Sequence, residues 1–65
     1  MNDFVTLGRH YQEQGYRFLG SVNFSNEAAR AYRTSKKTQM HQTGRCEYLV
    51  ACHDLKVFVV IDSSD

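Results

Sequence analysis

Apolar positions along the chain recur with two different periods, and the switches between them outline the elements. Phe4, Leu7 and Tyr11 stand at i, i+3 and i+7, the spacing of one helical face. Asn2 or Asp3 can cap this helix and Gly15 can stop it, so a first helix is expected over residues 3–14. Gly8 lies inside it, at a cost of about 1 kcal/mol relative to alanine unless close packing needs it. From Tyr16 the pattern alternates. Tyr16, Phe18, Val22 and Phe24 share one face with Gly20 among them, while Arg17, Leu19, Ser21 and Asn23 share the other. That predicts a half-buried strand over residues 16–24 with a bulge at Gly20.

Ser25 or Asn26 then offers an N-cap, Glu27 suits the positive end of a helix, and Ala28-Ala29-Arg30-Ala31 is strongly helix-forming. Ala28, Ala31, Tyr32 and Ser35 fall on one side of this second helix, with Arg30, Arg33, Lys36 and Lys37 opposite. The apolar side is made of small residues, so the helix is expected to lie close to its sheet and to run to about Lys37. Thr38 to Arg45 reads as a polar connection. Cys46, Tyr48, Val50 and Cys52 then alternate with Glu47, Leu49, Ala51 and His53. Leu55, Val57, Val59 and Ile61 alternate with Lys56, Phe58, Val60 and Asp62. A turn around His53-Asp54 joins the two runs into a hairpin, and residues 63–65 form a fraying tail.

The expected fold class is therefore α+β, a single small domain over residues 1–65. Its elements run helix-strand-helix-strand-strand, and two helices pack on a three-stranded, mainly antiparallel sheet. The last strand is apolar on both faces, which suits a central place and spatial order 1-3-2, with that strand antiparallel to both neighbours. Both helices are expected to share one face, the one carrying Tyr16, Phe18, Tyr48, Val50, Val57 and Val59. Leu19, Leu49, Ala51, Phe58 and Val60 then form an exposed apolar patch, a partner-binding or homodimer face anchored by Phe58.

Composition narrows the class. The chain has 65 residues, 42% of them apolar and 23% charged, too apolar for a disordered chain. A chain of this length buries only about 60% of its unfolded surface and gains from docking on a partner. Its longest apolar runs are Tyr48 to Cys52 and Val57 to Ile61, so no membrane span and no secretory leader is expected, and the reading is cytoplasmic. The net charge of +1 does not describe a general polyanion binder. It is uneven, however: residues 25–45 hold five basic side chains against Glu27 alone. Arg30, Arg33, Lys36, Lys37 and Arg45 are therefore the candidates for contact with nucleic acid.

Candidate chemistry is sparse. On one straight strand Cys46 and Cys52 stand roughly 20 Å apart, far beyond the reach of a disulfide, which fits a reducing compartment. His10, His41, Cys46, Cys52 and His53 could each ligate a metal, but their spacing does not converge on the roughly four ligands zinc requires, so no metal and no cofactor is expected. Cys52-His53-Asp54 holds the residue types of a nucleophilic triad, yet adjacent strand residues point to opposite faces, and no catalytic residues are assigned. The first helix, Gly15-Tyr16 and the strand after it resemble the opening of the small HicA-type ribonuclease toxins. Those toxins place a histidine after a Gly-Ser pair where this chain has Val22 after Gly20-Ser21, and the downstream order differs, so the chain is not assigned to them. The leading expectation is a non-enzymatic protein–protein interaction module, an inhibitor or adaptor of the size common among phage and plasmid accessory proteins. The alternative is a nucleic-acid-binding regulator using the basic second helix.

Overall fold

Helix α1 spans Phe4–Glu13 with Asp3 at its N-cap, in a computed structural model that describes residues 3–62. Asn2, the other cap candidate, and the tail 63–65 lie outside the described residues. Gly15 adopts φ +92°, a left-handed conformation that glycine accepts without a Cβ clash. The Gly15 N–H donates to Gln12 O and the Tyr16 N–H to Tyr11 O, which closes a Schellman stop and turns the chain into β1, Arg17–Ser21. Ser25 caps α2, Asn26–Thr34, by accepting the Ala28 N–H at 3.2 Å. Strands β2 (Thr38–Gly44), β3 (Glu47–Cys52) and β4 (Val57–Asp62) follow as a meander.

The sheet order is β1-β4-β3-β2, so the doubly apolar β4 is central, with β1 and β2 at the edges. The fold is α+β, with one more strand than the hydrophobic pattern predicts. Thr38 to Gly44 is that strand, paired antiparallel with β3 from Thr38↔Cys52 onward. Its residues lack apolar alternation because an edge strand with both faces largely open to solvent needs none. The missed strand also reverses a direction. Helix α2 returns the chain to the starting end of β1, and three further strands leave β4 parallel to β1 and antiparallel only to β3.

The helices take opposite faces of the sheet. Under α1 lie Tyr11, Tyr16, Leu49, Ala51 and Phe58, with Phe4 and Leu7 against them. Under α2, Ala28 packs with Val50 and Val59, joined by Leu19, Val22, Tyr32 and Ile61. The expected grouping of faces is thereby corrected. Phe18 is register partner of Phe58 and stacks on it at 5.2 Å, so Leu19 points to the other side of the sheet from Phe58. An offset of one residue moves every side chain of a strand to the opposite face. Both faces of β3 and β4 are apolar, and one helix on each removes both from water.

Two boundaries also shift. Gly20, at φ +103°, accompanies the bulge between Phe18 and Ser21. The strand ends at Ser21, so Val22 turns under α2 and Phe24 stands in solvent, 89% exposed. Helix α2 stops at Thr34 rather than Lys37. Asp54 accepts both the Ser35 hydroxyl and the Lys36 N–H, which draws the chain off the helix axis into β2.

Candidate functional site

The apolar patch expected from Leu19, Leu49, Phe58 and Val60 is not a surface. Leu49 is fully buried and Phe58 is 1% exposed beneath α1, Leu19 belongs to the α2 side, and Val60 is half-buried. Phe58 is a core residue and not an anchor for a partner. Phe18 and Val5 are the exposed apolar residues near it. With Phe4, Gly8, Arg9, Gln12 and Phe58 they line a shallow cleft of about 230 Å³ between α1 and β1.

The basic candidates divide between the segment that leads into β2 and the turn that follows it. Arg30 and Arg33 stand exposed on α2, and Lys36 and Lys37 are exposed on the connection into β2. Arg45 lies past the far end of β2, in the two-residue turn to β3. Glu27, the only acid of this segment, pairs with Arg17 at 3.1 Å across solvent. The first four cations thus share one region, and Arg45 is separated from them by the whole of β2.

A strip of tyrosine and histidine side chains runs beside α1 over β2. Tyr11 Oη lies 2.9 Å from His41 Nε2, and Tyr16 Oη lies 2.7 Å from His53 Nδ1. His53 Nε2 is 2.9 Å from Gln39 Oε1. A carboxamide oxygen only accepts, so Nε2 of His53 carries its proton and Nδ1 accepts from the Tyr16 hydroxyl. The Tyr11 and Tyr16 rings meet at 5.0 Å, and Lys56 Nζ sits 5.1 Å from the Tyr16 ring centre. Burial pushes the His41 imidazole below its ordinary pKa, with the neighbouring His53 adding to the effect. Burial likewise raises the Tyr11 phenol, helped by Tyr16. The Tyr11–His41 bond ties β2 to α1, and the Tyr16–His53–Gln39 chain ties it to the start of β1 through the turn after β3. The sequence signal for this strip was the odd-numbered spacing of Gln39 and His41, which is visible only once residues 38–44 are read as a strand.

Within Cys52-His53-Asp54 the histidine parts from its neighbours, while Cys52 and Asp54 stay on one side near Ser35. Cys52 Sγ faces Ala31 O, His53 bonds on the α1 side, and Asp54 holds Ser35 and Lys36. Burial raises the Cys52 thiol, which keeps it a poor nucleophile. Cys46 and Cys52 stand at opposite ends of β3 and are not bridged to one another. Among the described residues no three histidine, cysteine or acidic side chains gather as metal ligands, and no helix is long and apolar enough to cross a membrane.

The remaining feature is the outer edge of β2. Antiparallel pairs alternate between those that exchange hydrogen bonds and those that do not. The His53 N–H donates to Lys37 O at 2.8 Å, which marks that pair as bonded. Gln39–Ala51 and His41–Leu49 are then bonded pairs in the same register. Thr38, Met40 and Gln42 fall between them, so their N–H and C=O groups point away from β3, and β2 is last in the sheet. Helix α2 packs on β1, β4 and β3, which leaves Met40 52% exposed on that face. The opposite edge differs. Strand β1 has five residues, starts with Arg17 and is broken by the Gly20 bulge. No family model, curated protein or solved structure gives a significant match to this chain.

Proposed function

We propose that this chain is a non-enzymatic protein-binding module, of the inhibitor or adaptor kind, whose binding element is the free edge of β2. The observation that carries this reading is a seven-residue edge strand, Thr38–Gly44, with no charged residue and no proline within it. Unprotected edges recruit another strand, and proteins that do not use them blunt them with charge, proline or bulges. Here β1 carries such devices and β2 has only the irregularity next to Gly44. Strand addition supplies affinity through the main chain and selectivity through alternate side chains, and Met40 and Gln42 on one face and Gln39 and His41 on the other would read those. The strip of tyrosines and histidines supports a non-enzymatic reading, because it spends its hydrogen bonds holding β2 in place.

The test uses Met40→Pro. The Met40 N–H faces outward, so proline there removes an edge donor and leaves the ladder with β3 intact. Selection from a random-peptide display library with wild-type protein as bait should return extended peptides that protect the amides of Thr38, Met40 and Gln42 from exchange. They should not bind the Met40→Pro protein. Peptides indifferent to that change, or protecting another surface, would refute the reading.

A second reading, a nucleic-acid-binding regulator, is favoured by the grouping of Arg30, Arg33, Lys36 and Lys37 on one exposed region. It predicts retention on heparin and an oligonucleotide gel shift at low salt, both lost by about 200 mM and both abolished by Arg30→Glu with Arg33→Glu.

A further inference from the structure

The β2 edge carries information about its occupant in the residues that bracket it. Lys36 and Lys37 precede the strand and Arg45 follows it, and no acidic residue stands between Lys36 and Cys46. Two acids stand beside this strand: Asp54, exposed in the turn between β3 and β4, accepts from the Ser35 hydroxyl and the Lys36 N–H, and Glu47, across from Gly44, accepts the Thr43 hydroxyl. The strand thus offers neutral main-chain partners with exposed basic side chains flanking it, Lys36 and Lys37 before it and Arg45 after it.

In its fully paired register a second copy of the chain fits this edge poorly. The antiparallel register that pairs all seven residues of β2 with those of another copy has its two-fold axis at His41. Just beyond the two ends of that ladder, Lys37 of each copy is brought toward Arg45 of the other. Like charges directly opposite one another across strands are destabilising. The same residues favour a strand carrying carboxylates at its ends, in either orientation. Building on the edge-addition reading, we infer that the occupant of β2 is an extended segment of another protein flanked by acidic residues, and not a second copy of this chain.

The double variant Lys37→Glu with Arg45→Glu tests this, because it presents the same seven-residue strand between acidic ends. Both positions are exposed, so the fold is kept, which circular dichroism verifies. Mixed with wild type at low salt, it should form a one-to-one complex in sedimentation velocity, with amide protection at Thr38, Met40 and Gln42. Either protein alone should bind itself at least about tenfold more weakly. Added salt should weaken the mixed pair, since exposed charges are screened within about 10 Å at 0.1 M. If wild type self-associates as tightly as it binds the variant, the charge inference fails while edge addition stands. If no combination associates at millimolar concentration, the charge inference also fails, and edge addition is left to the Met40→Pro selection. If the mixed pair forms equally well with Met40→Pro in the wild-type member, the contact lies elsewhere and both readings fall.

Discussion

The two faces of the sheet are filled in opposite ways. On the α1 face the sheet supplies the bulk: Phe58, with Phe18 stacked on it and Tyr16 beside it, fills the space below the helix. Gly8 of the helix faces the Phe58 ring. On the α2 face the buried positions of the helix are small, with Ala28 fully buried, Ala31 nearly so and Tyr32 at the margin, and the sheet presents Val50 and Val59. The α1 face is rich in rings and hydroxyl-to-imidazole bonds, and the centre of the α2 face is aliphatic. The α1 face therefore depends on one large residue and several directional bonds, whereas the α2 face depends on close approach. Their substitutions should fail differently.

The largest effect is expected at Phe58. Phe58→Ala empties the centre of the α1 face, and such truncations cost about 3–5 kcal/mol. Against the roughly 5–15 kcal/mol of a typical domain, and less in one this small, that should leave much of the protein unfolded at 37 °C in a thermal melt. Survival with a small loss of stability would show that α1 collapses onto the sheet, and the contrast between the faces would shrink. On the α2 face the damaging change is an enlargement. Ala28→Leu should push the helix off Val50 and Val59 at about 1–3 kcal/mol, read as a lowered urea midpoint with an unchanged slope. A cost equal to that of Phe58→Ala would mean that the two faces are equally unforgiving.

How much of this was legible in the sequence follows the same division. Both helices, the bulge at Gly20, the β3–β4 hairpin and the central place of β4 were written in apolar periods and in glycine. Strand β2 was not, because Thr38-Gln39-Met40-His41-Gln42-Thr43 has no apolar face to bury. That one omission carried the others with it. Without β2 the direction of β4 relative to β1 comes out reversed, and Gln39 and His41 have no place beside Tyr11 and Tyr16. The choice of face failed for a separate reason. Strands β3 and β4 are apolar on both sides, so alternation alone cannot say which side a helix covers, and the Phe18↔Phe58 register decides it. The basic residues were legible as exposed, but their division between two ends of β2 was not, because that depends on the strand lying between them.

The ring-rich face should also respond to pH where the aliphatic face does not. His41 is held below its ordinary pKa of about 6.5 by burial first and by His53 second, with the Tyr11 hydroxyl as its hydrogen-bond partner. A depressed histidine means that the unfolded chain binds more protons than the folded one in the window just below the ordinary value. Stability is then fully present above about pH 6.5 and falls as pH drops through that window toward the folded value. Urea midpoints measured from pH 8 down to pH 5 should decline accordingly. His41→Gln, which keeps an acceptor for Tyr11 and cannot titrate, should flatten the decline. An equal decline in that variant would assign the effect to other groups.

The smallest effect sharpens the comparison most, because it turns on one methyl group. A Cβ added at Gly8 would meet Phe58 Cε2 at 3.5 Å and Cζ at 3.7 Å, which is ordinary van der Waals contact. The α1 face thus has room for the alanine that α2 already uses at Ala28. Glycine in a helix interior costs about 1 kcal/mol relative to alanine, through the entropy its unfolded chain must give up. Gly8→Ala should raise stability by up to about that amount, read as a small upward shift of the urea midpoint. The gain should persist in the presence of Ala28→Leu, since the two helices lie on opposite sides of the sheet and share no packing surface. A loss of stability would mean that α1 rides lower on Phe58 than 3.5 Å allows, and that glycine there is required by contact as alanine is at Ala28.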